Sequence, residues 1–230
     1  MPESDPYDPA SYPLPATDVP DDVRSELHPW VGGFIGMRPA EATKRLHEHW
    51  ATIERPSLRA LRETLGEFEV REIVQYPDGG RIYAVRPNTD EDDIGNSFYL
   101  PAPLDPDELD AHLKAVSLSQ NDSVREFLTH FAGWAEDVRI SGDFVYREAS
   151  WPTFTDSWED TIAGFDEWKD SLMIYNARNG CQVLVHPRGN VAWWMFQERR
   201  VADLAPDFDG FIRQFSEYRK LAWPYDPYGP

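Results

Sequence analysis

The chain has one cysteine, four lysines and no basic residue before Arg24. A single thiol, Cys181, excludes any intrachain disulfide, and on an apolar strand it reads as a small buried hydrophobe. No apolar run approaches the ~20 residues that a membrane span needs, so no membrane partner is expected. The opening residues, Met1-Pro-Glu-Ser-Asp-Pro6, lack the charged start and apolar centre of a secretory signal. A cytoplasmic location is the expectation. Bases are scarce: 22 Lys and Arg face 41 Asp and Glu, a net charge of −19. Such a surface repels phosphate backbones, and no basic patch stands against it, so nucleic acid is not an expected partner. Catalytic signatures are missing too, with no G-x-S-x-G, H-E-x-x-H, Walker loop or C-x-x-C. The reading is therefore non-enzymatic, with no cofactor and no metal.

What is present is ample core material. Apolar residues make up 41% and aromatics 13%, including nine Trp, so this is a folding composition. The most clearly patterned stretch is Ser171 to Lys220. Three short apolar runs, Leu172–Tyr175, Cys181–His186 and Val191–Phe196, are separated by Ala177-Arg-Asn-Gly180 and Pro187-Arg-Gly-Asn190. Asn-Gly and Gly-Asn supply the positive-φ positions of tight reversals, so the runs form an antiparallel meander. Phe208, Phe211, Ile212 and Phe215 then recur at helical spacing, with Asp207 and Asp209 at the start and Arg219 and Lys220 at the end, each sign favourable to the helix dipole.

The order of strand, Gly turn, strand, Gly189-Asn-Val191 opening a third, Glu198 after it, then Leu204-Ala-Pro-Asp-Phe-Asp-Gly-Phe-Ile212, resembles the C-terminal half of the SUKH superfamily. Val124-Arg-Glu-Phe-Leu-Thr-His-Phe-Ala-Gly133 fills the place of that superfamily's opening helix and its aromatic-Gly end. The resemblance covers roughly residues 105–220. It implies an α+β domain, an antiparallel sheet with helices packed on one face. It also implies the work of many members, immunity proteins that neutralise polymorphic toxins. Others are cell-wall-synthesis regulators.

Ahead of that region, residues 1–22 carry six prolines and no Lys or Arg, and read as an extended leader or an arm over the domain. His28 to Gly36 is apolar and glycine-rich without nucleotide-cradle spacing; Trp30 and Phe34 are expected to pack on the core. Pro39 and Pro56 suit first helical positions, and Gly66 suits a helix end. His47 and His49 lie two apart on the first of these helices, about 200° around it, and so cannot grip one ion together. Phe68–Tyr76 alternates, turns at Pro77-Asp-Gly-Gly80 and returns as Arg81–Val85, a second hairpin, favoured as part of one sheet with the meander. Asn88 to Ala111 holds eight acids and no base. Its Asp90–Gly95 segment departs from a calcium loop where Ile94 and Pro101 stand in ligand places, so it reads as a solvated loop. Asp105-Pro-Asp-Glu108 starts a helix with Leu109, Leu113 and Val116 inward, and Asn121-Asp122 starts the next.

The domain reading follows: 1–22 an extended leader, 23–100 a helix–helix–hairpin extension, 101–220 the SUKH-like domain, 221–230 an extended tail. Phe144 to Trp168 alternates aromatics with acids. Trp supplies large rigid contact area and carboxylates select a basic partner, so the expected partner-binding residues are Trp151, Asp156, Trp158, Glu159, Asp160, Asp166 and Glu167. The alternative for the tryptophans is a place in the core. The functional expectation is a protein that binds a basic partner, a toxin domain in the resemblance's terms. The alternatives are a regulatory adaptor, or a hydrolase whose site assembles only in three dimensions.

Overall fold

Local chemistry sets the element ends. In the computed structural model, which describes residues 9–77, 79–89, 96–135, 143–147, 150–157, 162, 164–177 and 180–220, the chain begins with β1 (Ser11–Pro13), α1 (Asp21–Glu26) and α2 (Pro29–Gly32). Helices α3 (Pro39–Trp50) and α4 (Pro56–Leu65) both open on the expected proline. Glu41 reaches back to accept the Arg38 N–H at 3.1 Å, satisfying a donor the first turn leaves over. Strands β2 (Glu69–Val74), β3 (Arg81–Val85) and β4 (Ser97–Pro101) follow. Next come α5 (Pro106–Ala115), whose N-cap Asp105 accepts from the Asp107 N–H at 2.9 Å, and α6 (Asp122–Phe131), whose N-cap Asn121 accepts from Val124 at 3.1 Å. The C-terminal part holds β5 (Asp143–Phe144), α7 (Phe154–Ser157), α8 (Phe165–Trp168), β6 (Leu172–Ala177), β7 (Cys181–Val185), β8 (Val191–Met195), β9 (Arg200–Ala205) and α9 (Phe208–Lys220).

The strands form two antiparallel sheets, β1-β2-β3-β4 and β5-β6-β7-β8-β9. Among the described residues, Ala135 joins them. It bridges to Tyr99 of β4 on one side and to Asp143 of β5 on the other, with both Tyr99–Ala135 backbone bonds made, at 2.7 and 3.0 Å. The expected single sheet is therefore two sheets bridged at Ala135. Gly133 makes the approach possible. Its φ is 69°, and a Cβ there would sit 2.6 Å from the Tyr146 ring and 2.7 Å from Pro101.

One apolar core runs through both sheets, from Ala16 to Phe215, across the expected boundary at residue 100. Its helical layer is stitched by α9, which lies against α4 and α6. Phe215 meets Trp134, Phe144 and Tyr175; Phe208 meets Phe127. Arg219 is fully buried, with its guanidinium over Phe68 at 5.8 Å and Trp134 at 5.4 Å, so a cation is held by ring faces where the two sheets meet. The described N-terminal residues pack against the first sheet: β1 pairs with β2, and Ala16 and Val19 are buried, while Asp21 and Asp22, read with the leader, open α1. Phe34 is buried and Trp30 half-buried against it.

Several expectations need correction. Strand β4, where the sequence reading places no element, forms within the acidic stretch Asn88–Ala111 because Phe98 and Leu100 have a core to enter. The three-run meander is the centre of five strands, since β9 adds an edge and β5 a short partner. The helices do not keep to one face: a second, smaller cluster lies on the far side of β6–β8 beneath α7 and α8. Cys181 is half-buried, not enclosed. The Asp90–Gly95 acidic segment and the tail 221–230 lie outside the described residues.

Candidate partner-binding surface

The middle of β6–β8 is buried on both faces, and the aromatic-acidic segment is the reason. Along β8 every residue from Val191 to Met195 is buried. Val191, Trp193 and Met195 enter the main core, whereas Ala192 and Trp194 point the other way, joined by Met173 and Leu184. That second face needs a roof. Phe154, Ile162, Phe165 and Trp168 supply it. Gly164, at φ 86°, turns the chain into α8, and the three-residue spacing of Phe165 and Trp168 puts both rings inward. Asp166 and Glu167, between them, are exposed, and so are Lys169 and Asp170. The roof is pinned at its ends: Phe154 N–H to Ser171 O at 2.9 Å, Thr155 Oγ1 to Lys169 O at 2.7 Å, and Met173 N–H to Pro152 O at 3.0 Å.

The seven expected contact residues divide. Asp166 and Glu167 stand on the outer side of the roof, in reach of a partner. Trp151 does not. It is 3% exposed, its indole N–H donates to Tyr146 O at 2.6 Å, and its ring stacks on His112 at 4.6 Å with the planes 8° apart. It is a core residue, because a polar N–H with an internal acceptor makes full burial favourable. The side chain of Asp156 and all of Trp158, Glu159 and Asp160 lie outside the described residues. Trp168 also turns inward, edge-on to His186 at 5.6 Å. His186 has a structural role, its Nδ1 accepting the Arg188 N–H at 3.0 Å to close the turn before β8.

A second polar centre was not foreseen. Arg55, in the link before α4, pairs with Asp209 of α9 at 3.0 Å and with Glu126 of α6 at 3.4 Å. Ser57 Oγ donates to Asp209 at 2.5 Å, and Glu126 accepts the Glu54 and Arg55 N–H groups at 2.9 and 3.0 Å. Burial disfavours the Asp209 charge, yet the Ser57 hydrogen bond and the Arg55 guanidinium outweigh it and hold the carboxyl below its ordinary range. An open notch of about 410 Å³ lies alongside, lined by Arg55, Gln120, Asn121, Ser123 and Arg188 among others. Since two carboxylates already meet Arg55, the cluster acts as a staple joining three helices, and its cationic group is not spare. No signal in the sequence brings residues 154 apart together.

His47 and His49 take different neighbours: His47 stacks on Trp50 at 6.2 Å, while His49 meets Trp30 at 5.6 Å and His130 at 5.1 Å. Among the described residues no group of three or more His, Cys, Asp or Glu is arranged to hold a metal ion. Among them, too, no helix is long and apolar enough to cross a membrane. No protein family, no curated protein and no solved structure matches the chain.

Proposed function

We propose that the protein is a non-catalytic binding protein of the immunity type, which recognises a basic toxin domain through the acidic outer side of α8. The observation that carries the reading is the division within α8: Phe165 and Trp168 are spent on the core, while Asp166 and Glu167 face solvent on a helix whose other side is buried. Carboxylates fixed on a packed element can meet a cationic groove with little ordering cost. The net charge of −19 adds a long-range field that draws a basic partner in. A nuclease's substrate groove is basic, so a toxin of that class suits this face. The resemblance of residues 105–220 to SUKH proteins supports the same reading.

The test is co-expression with the product of the adjacent gene, which the immunity reading requires to be a toxin, scored by growth, followed by association kinetics on the purified pair. Growth rescue is expected. Reversing Asp166 and Glu167 to lysine should slow association at low salt by about tenfold and flatten its salt dependence. Unchanged on-rates would remove the α8 face from the interface, and absence of any rescue would end the immunity reading.

A further inference from the structure

Two histidines from different helices meet at the edge of the main core. His49 is in the last turn of α3, His130 in the last turn of α6, and their ring centroids are 5.1 Å apart with planes at 61°. His130 is 8% exposed and His49 half-buried. His49 Nε2 and His130 Nδ1 are both shut off from solvent and neither has a hydrogen-bond partner. A neutral imidazole tolerates that placement far better than an imidazolium does, and two imidazolium ions side by side would also repel. Trp30 of α2 packs edge-on to His49 at 5.6 Å, so the pair is walled by an aromatic ring on its third side.

Charged groups around the pair offer little relief. On α6, Glu126 lies one turn before His130 and favours its charged form, but that carboxylate is already occupied by the Glu54 and Arg55 N–H groups and the Arg55 guanidinium. Arg125 is paired with Asp110. On α3, Lys44 and Glu48 pair with each other on the exposed side, and the His47 ring is turned onto Trp50. From α2 the neighbour is the uncharged Trp30.

We infer that the His49–His130 contact is an acid-released latch: neutral, it holds the C-terminal ends of α3 and α6 together, and protonation of either ring parts them. Burial pushes both imidazoles below their ordinary range, and His130 beside it helps bring His49 to about 4. The folded protein therefore resists the first proton until well below the pH at which a free histidine accepts one. When the proton arrives, the nearest way to hydrate the charge is to open this seam. The ring contacts of the two histidines are with each other, Trp30 and Phe131, none of them in β6–β8, so opening the pair need not unpack the second sheet.

The test is hydrogen exchange between pH 7 and 4, corrected for intrinsic rates, beside an NMR titration of the histidine ring protons. Amides in the last turns of α3 and α6 should lose protection at least about tenfold as the pH falls from 6.5 to 4.5, with β6–β8 still protected. The His49→Phe/His130→Phe protein, which keeps two rings of similar size, should lack that step. The same step in the double variant would overturn the latch, as would simultaneous loss of protection in β6–β8. The ring titration reads the wild-type chain directly, whatever the variant's folding: midpoints near 6.5 for both rings would also overturn it.

Discussion

The two sheets use the same strand chemistry to different ends. In the first, Val70, Ile73, Ile82, Ala84, Phe98 and Leu100 enter the core, while Tyr83 and Tyr99 pair across the strands on the far face and are half-buried, their rings 4.7 Å apart. Arg81 lies over the Tyr76 ring at 4.5 Å on the neighbouring edge. In the second sheet the middle of the far face is Met173, Leu184, Ala192 and Trp194, all buried. Amphipathic aromatics and an arginine can serve a face that is partly wetted; an apolar far face cannot. The second sheet therefore requires a roof, and the roof brings acidic side chains with it. What looks like a binding segment in sequence is first a structural cover. Only its outer residues remain for recognition.

The sharpest way to break this contrast is to truncate one far-face residue in each sheet. Trp194→Ala should cost about 3–5 kcal/mol, as a fully buried tryptophan does, and Tyr83→Ala about 1 kcal/mol, both read from urea midpoints. Equal losses would mean that both far faces are core. Trp168→Ala should follow, at about 3 kcal/mol, with hydrogen exchange rising in the roof before it rises in β2–β3. Arg55→Met tests the staple across α4, α6 and α9. It leaves Glu126 and Asp209 half-buried without their cation, so about 1–3 kcal/mol should be lost, less at low pH once Asp209 is neutral.

The pH profile separates the two electrostatic centres. His49 binds its proton at about 4 in the folded chain against 6.5 when unfolded, so the unfolded state holds more protons between those values. Its contribution is complete above pH 6.5 and is lost as the pH falls toward 4, at most about 3 kcal/mol by linkage and less for a side chain partly in water. Asp209 has a folded value below its ordinary 3.8, so its contribution is present above that pH and lost only under it. Urea midpoints at pH 7.5, 5.0 and 3.5 should show the histidine loss first, and His49→Phe should remove the first part alone. The smallest effect belongs to the roof's outer side. Asp166→Asn with Glu167→Gln should change stability by no more than about 0.5 kcal/mol while slowing association with a basic partner.

Much of the chain was legible because local and global preferences agree. The 3.6-residue spacing of Val124, Phe127, Leu128 and Phe131, and of Phe208, Phe211, Ile212 and Phe215, marks α6 and α9, and all eight are buried. Asn-Gly and Gly-Asn placed the reversals between β6, β7 and β8. Strands β4 and β9 escaped notice for opposite reasons. The apolar Phe98–Leu100 is hidden behind a run of acids, and Val201-Ala-Asp-Leu-Ala205 has weak strand propensity and is held by its neighbour β8. Trp151 could be read as contact or core from sequence, and the Tyr146 carbonyl decided for core.

Composition and periodicity alone determined an acidic α+β chain with two helix pairs, a hairpin, a meander and a closing amphipathic helix, because these depend on neighbours a few residues apart. Tertiary structure decided the joint at Ala135, the Arg55–Asp209 staple, the His49–His130 pair and which side of the 151–170 segment meets solvent. Each of those depends on groups far apart along the chain, and no local pattern records which distant surface a residue will be pressed against.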